Sequence, residues 1–121
     1  MTQNSNPYRD LENRTTEFAK KVIRLCKELP KDTINNRLID QVIRSSGSVG
    51  ANYREANEAL GKKDFAYRLR IARKECKETT HWLELIHEAN QNFEKHMGSL
   101  FLECGELRSI LSAIIVKAKE K

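Results

Sequence analysis

The chain has 121 residues, 39% of them hydrophobic and 32% charged, with a formal net charge of +5. That composition suits one soluble domain with a real core. No apolar run approaches the roughly 20 residues of a membrane-spanning helix, and the polar segment Met1–Asn6 lacks the apolar centre of a signal peptide, so a cytoplasmic protein is expected.

Two prolines and five glycines leave room for long regular elements and few loops. The first predicted helix runs from about Asp10 to Leu29, where Leu11, Phe18, Val22, Leu25 and Leu29 keep a helical spacing. Pro30 stops it, and Asp32 or Thr33 can cap the next helix.

The second predicted helix runs from about Ile34 to Leu60 and contains the most unusual stretch of the chain, Arg44-Ser45-Ser46-Gly47-Ser48-Val49-Gly50-Ala51-Asn52-Tyr53-Arg54-Glu55-Ala56. Its glycines and serines suggest a loop, yet the helical period passes through it unbroken. Ile39, Val42, Ile43, Ser46, Val49, Gly50, Tyr53 and Leu60 keep one face, with Leu38 beside them. Each glycine inside a helix costs about 1 kcal/mol relative to alanine, so tolerated glycines point to a close approach of another backbone. The opposite side carries Gln41, Ser45, Ser48, Asn52 and Ala59, with Arg44, Ser48, Ala51 and Glu55 aligned next to them. A solvated face normally holds Lys and Glu. This strip of small and neutral residues between an Arg and a Glu therefore predicts a second contact surface, and Arg44, Ser45, Ser48, Asn52 and Glu55 are the candidate oligomer interface.

The third helix is predicted over about 63–90 after the C-cap signal Gly61, with Phe65, Leu69, Ala72, Cys76, Leu83 and Ile86 as core and Ile71, Trp82, Leu85 and Ala89 on a flank. A polar link over about Gln91 to Gly98 leads to a fourth helix over about 99–118. There Leu100, Cys104, Leu107, Leu111, Ile114 and Ala118 form the stripe, widened by Phe101, Ile110 and Ile115. No segment alternates like a strand. The expected fold is all-α, a single-domain antiparallel up-down four-helix bundle. Cys26, Cys76 and Cys104 are odd in number, widely spaced and set in apolar patterns. They read as buried small hydrophobes in a reducing compartment, not as a disulfide framework or a zinc site.

Segments two and three carry a resemblance. Arg44, Ser45, Ser46, Ser48, Val49, Asn52, Tyr53 and Glu55, followed by basic residues and then Phe65, Leu69, Ile71, Ala72 and Glu78, follow the pattern R-S-S-x-S-I-x-x-N-I-x-E-G then F-x-x-x-L-x-I-A-x-G-S-x-x-E. In this the chain resembles the ribosomal RNA intervening-sequence proteins, a four-helix-bundle family whose fold group includes the accessory variability determinant of diversity-generating retroelements. Ala56 stands where the pattern has glycine, and Lys74-Glu75 where it has Gly-Ser. The resemblance covers about residues 18–90. It implies a left-handed bundle assembling as a ring, typically a homopentamer. The related retroelement proteins imply nucleic acid and a reverse transcriptase as partners.

The charge excess falls in one short window. Residues 62–77 hold Lys62, Lys63, Arg68, Arg70, Arg73, Lys74 and Lys77 against only Asp64 and Glu75. On a helical wheel Lys63, Arg70, Lys74 and Lys77 lie within about 60° of one another, with Arg73 at the margin and Lys62 at the helix start. Such a strip is what an ordinary solvated face looks like; repeated around a ring it is also a phosphate-binding surface. Lys62, Lys63, Arg70, Arg73, Lys74 and Lys77 are therefore the candidate nucleic-acid contacts. Arg68 and Glu75 fall inside the apolar arc and need partners, either each other or groups on a neighbouring helix.

Two Glu-x-x-His tetrads, Glu78 to His81 and Glu84 to His87, share one helix. A di-metal bundle needs one on each of two helices, so no metal and no cofactor is expected. Ser45, Ser46 and Ser48 lack a nucleophile-elbow context, and Gly47 and Gly50 fit no phosphate-cradling loop. The function expected from these features is a non-enzymatic oligomeric bundle that binds nucleic acid, RNA or a reverse transcriptase–RNA complex, through its third helix. The alternative is a protein-interaction scaffold without nucleic-acid binding.

Overall fold

The computed structural model describes residues 7–120; the polar segment Met1–Asn6 lies outside them. Four long helices follow one another: α1 Pro7–Glu28, α2 Thr33–Asn57, α3 Lys62–Ala89 and α4 Glu94–Glu120, with a single 3-10 turn, Gln91–Phe93, between the last two. Each helix packs on its neighbours in order, and α1 closes on α4. This is the expected up-down bundle. The α2–α3 seam is the most extensive and the α1–α4 seam the least.

The local chemistry explains the boundaries. Proline suits the first turn of α1, where its missing N–H would have no helical partner. At the other end the Lys31 ammonium donates to the carbonyls of Cys26 at 2.9 Å and Leu29 at 2.7 Å, covering acceptors that Pro30 strands. The Asp32 carboxylate caps α2 by accepting from the Asn35 N–H at 2.8 Å. Gly61, at φ 127°, opens α3.

α2 runs without a break through Gly47 and Gly50. The close approach expected of its glycines occurs at Gly50: a Cβ there would lie 2.9 Å from Thr15 Oγ1 and 3.3 Å from Thr15 Cβ on α1. Helix α2 ends at Asn57, short of the expected Leu60, which lies in the turn and is 98% exposed. Ile43, also expected in the core, is 40% exposed, because it lies about 100° around the helix from Val42. Helix α4 begins at Glu94 rather than Ser99. The polar run from Gln91 to Gly98 suggested a link, but Met97, Leu100 and Cys104 are all buried and carry the apolar stripe one turn further back.

The core runs the length of the rod. Phe18, Val22 and Leu25 of α1 meet Val42, Val49 and Tyr53 of α2, Leu69, Leu83 and Ile86 of α3, and Leu107 and Leu111 of α4. Buried polar groups close one end. Asn35 and Asn90 exchange two amide hydrogen bonds of 2.8 Å each, while Asn35 also donates to the Pro30 carbonyl and Asn90 to the Ile86 carbonyl, both at 2.9 Å. This ties the α1–α2 connection to the α3–α4 connection.

Gly50→Ala is expected to destabilise the protein by about 1–3 kcal/mol in urea unfolding, and Thr15→Ala in the same chain to restore most of the loss; a neutral Gly50→Ala would show that α1 and α2 do not meet there. Asn90→Ala leaves the buried Asn35 amide short of a partner and is expected to lower stability by about 2 kcal/mol, measured the same way.

Candidate nucleic-acid interface

Six lysines and arginines of α3 form the candidate surface. Arg70, Lys74 and Lys77 follow at one-turn spacing and are all exposed, pointing away from Leu69, Ala72 and Cys76 of the core. Lys63 extends the row by two turns, so it spans about 21 Å at 1.5 Å per residue. Arg70, Lys74 and Lys77 enter no ion pair among the described residues, whereas Arg14, Lys20, Arg44, Arg54 and His96 each do. Lys62, exposed, starts the helix. Arg73 differs: it is half-buried and reaches across to Ser112 Oγ of α4 at 3.5 Å. Exposed Arg108 of α4, close enough to Cys76 and Cys104 to act on their thiols, widens the positive surface. Sequence reasoning missed it, because only the fold brings it beside α3.

One exposed aromatic, Tyr67, borders the row at 53% exposure. His81 continues the line, edge-on to Trp82 with ring centroids 5.0 Å apart. Beyond it Glu84 and Glu88 are exposed, so α3 carries a positive half and a negative half.

The two charges in the apolar arc of α3 find partners on α2. Arg68 donates to Asn52 Oδ1 at 3.3 Å, and Glu75 receives Arg44 at 3.5 Å, with Arg44 also on Glu78 at 2.9 Å. These contacts show what meets part of the α2 strip within the chain. Ser45 is fully buried and its hydroxyl lies 2.9 Å from that of Thr79 on α3; Asn52 is half-buried against Arg68. For Ser45, Asn52 and Arg44 the neighbour is α3 of the same chain. A helix-wheel reading cannot tell a sister copy from a third helix of the same bundle. Ser48 and Glu55 remain toward solvent, half-buried and exposed respectively, and Arg44 pairs with α3 rather than with Glu55.

No three His, Cys, Asp or Glu side chains converge among the described residues; Glu78 of the first tetrad is held by Arg44. All three cysteines are buried free thiols. Cys104 donates to the Cys76 carbonyl at 3.2 Å and accepts from the Thr80 hydroxyl at 3.4 Å. The hydrogen bond with Cys104 and burial together hold the Cys76 thiol well above its ordinary range. No helix of the described residues is long and apolar enough to cross a membrane.

A family model described as 23S rRNA-intervening sequence protein matches residues 10–113, which reach into all four helices. The chain belongs to that family. A solved structure, a protein of unknown function from the S23 ribosomal protein family of Bacteroides thetaiotaomicron VPI-5482, is 32% identical, with a TM-score of 0.77 over 87% of this chain and 97% of that one. No curated protein matches. For this intervening-sequence protein the family name refers to ribosomal RNA.

Burial pushes the Cys26 thiol from 9.0 up to about 11, with Lys31 opposing weakly. The folded state therefore holds the proton more tightly than the unfolded chain. The resulting stability is complete below about pH 9 and is lost as pH rises to about 11. The stability difference between wild type and Cys26→Ala is expected to shrink by about 2 kcal/mol across that window, read from denaturation midpoints; a pH-independent difference would rule this out.

Proposed function

We propose that this protein is a non-enzymatic, self-associating helical bundle that binds RNA, alone or in complex with a reverse transcriptase, through the outer face of α3. The observation that carries the reading is the row Arg70, Lys74 and Lys77, exposed and without ion pairs among the described residues, on a chain whose charge is otherwise nearly balanced. Lys62, Lys63 and Arg73 extend the row. Long flexible cations on a rigid helix suit phosphates, and each neutralised phosphate releases condensed counterions. Phosphate contacts position a nucleic acid without reading its sequence. A single exposed Tyr67 is far from the stacking platform of single-strand readers, so little base discrimination is expected.

The hydroxyls and thiols that chemistry could use serve packing instead. Ser45, Ser46 and Ser48 donate to the Val42, Ile43 and Arg44 carbonyls of their own helix, and the thiols are buried. This supports the non-enzymatic part of the reading.

The reading is tested by anisotropy of a labelled structured RNA at low salt. Wild type is expected to bind, with affinity falling linearly in log–log against salt. Arg70→Glu with Lys74→Glu and Lys77→Glu is expected to abolish binding while circular dichroism stays unchanged, since all three side chains are exposed. Undiminished binding by the triple variant would overturn the reading. Retention of a protein partner that survives nuclease treatment, with no RNA bound by wild type, would favour a scaffold instead.

A further inference from the structure

The seam between α1 and α4 is the loosest in the bundle, and it is tied at two points. Arg14 of α1 reaches Glu103 and Glu106 of α4, and Glu28 at the end of α1 faces His96 of α4 at 3.6 Å. Between these ties the helices part over a groove of about 210 Å³. Lys21, Arg24, Leu25 and Glu28 line it from one face of α1, and His96, Ser99 and Leu100 line it from α4. Leu25 and Leu100 are buried and form its floor. The other five are exposed and form its rim.

That combination selects a ligand. A pocket for a drug-sized molecule starts at about 300 Å³, so this groove suits a single ring system, and its leucine floor suits the flat face of one. The rim suits the substituents. Lys21 and Arg24 attract an anion, Glu28 accepts from an amino group, and Ser99 and His96 donate or accept. Neither Lys21 nor Arg24 enters an ion pair among the described residues. Exposed Lys27, and Lys20, which also meets Glu17 at 3.3 Å, carry the positive charge along α1 at one-turn spacing from Arg24. Residues 20–31 thus hold Lys20, Lys21, Arg24, Lys27 and Lys31 against Glu28 alone. A nucleobase on its phosphodiester chain has a part to match each of these groups.

The groove also lies within reach of an RNA held on α3. Arg73 of α3 meets Ser112 of α4, and Thr80 meets Cys104, which puts Lys74 near the level of Leu111. Ser99 lies about 18 Å further along α4 at 1.5 Å per residue. Crossing α4, a helix about 10 Å wide, brings the path to about 20 Å. Roughly six stacked nucleotides span that distance at about 3.4 Å each.

We propose that the α1–α4 groove binds one unpaired nucleotide of an RNA whose base-paired part lies on the α3 row. The base seats on Leu25 and Leu100 with an exocyclic amino group toward Glu28, and the flanking phosphates meet Lys21 and Arg24. This rests on the RNA reading and adds to it the class of RNA, a duplex with a single-stranded tail. The α3 row offers phosphate contacts to any duplex, and the groove distinguishes a tailed one from a blunt one.

The test uses the full chain with a short RNA duplex, either blunt or carrying a tail of about ten nucleotides, longer than the path requires. The tail contains 2-aminopurine. Anisotropy reads binding, and 2-aminopurine emission reads the surroundings of the tail bases. Wild type is expected to bind both RNAs, with a log–log salt slope steeper by about 1.4 for the tailed one, the increment for two phosphates of a single strand. Emission should rise as a base leaves its stacked neighbours for the groove. Lys21→Gln with Arg24→Gln should remove the extra slope. Ser99→Leu, a neutral filling of the groove at an exposed position, should remove the emission rise. Both variants should bind the blunt duplex as wild type does. Equal slopes for the two RNAs, unchanged emission with wild type, or a rise that survives Ser99→Leu would overturn the groove and leave the RNA reading standing. Weakened binding of the blunt duplex by either variant would overturn it too, in favour of one general phosphate surface. No anisotropy change with either RNA would sink both readings.

Discussion

The bundle depends on α2 being one unbroken helix that two neighbours can approach closely. Gly50 gives Thr15 of α1 the space that a Cβ would fill, and Ser45 brings its hydroxyl to Thr79 of α3. Small residues on both flanks draw α1 and α3 toward α2, so larger side chains such as Val42, Val49 and Tyr53 can fill the centre with no exposure. The same closeness fixes the polarity of α3. Its α2-facing side holds Arg68 and Glu75, each met by a group on α2, and its opposite side is left to water with the lysine and arginine row.

Polar contacts then set alignment more than they add stability. Exposed ion pairs such as Arg54–Glu12 contribute little each. The buried Asn35–Asn90 pair is different, because every misalignment of the two connections would strand amides away from water. Arg14 adds a second register mark between α1 and α4, reaching Glu103 at 2.7 Å and Glu106 as well. Helix ends fixed in this way hold the four helices in one register.

The elements that periodicity defines were readable from the chain. The apolar spacing of Phe18, Val22 and Leu25, or of Leu69, Cys76 and Leu83, needs only the helical repeat, and the helical path through Gly47 follows from the stripe on either side. What failed depended on tertiary neighbours. Leu60 fits the stripe arithmetically but follows the helix end. The run from Gln91 to Gly98 looks like a polar link, yet buried Met97 and Leu100 carry the helix back through it. Ser45 and Asn52 announce a contact correctly by being small and neutral, but nothing in one sequence says whether the contacting helix belongs to the same chain. Conversely the α3 row was visible as a charge window, while Arg108 joins it only through the fold.

The four outer faces of the bundle carry different chemistry, and their order around it matters. Faces α2 and α4 lie at opposite corners, which leaves α1 and α3 at the other two. Phosphate binding by one row is a weak, salt-sensitive interaction. Under the proposed self-association, several such rows would act on one RNA at a high effective concentration, which multiplies affinity without any new type of contact.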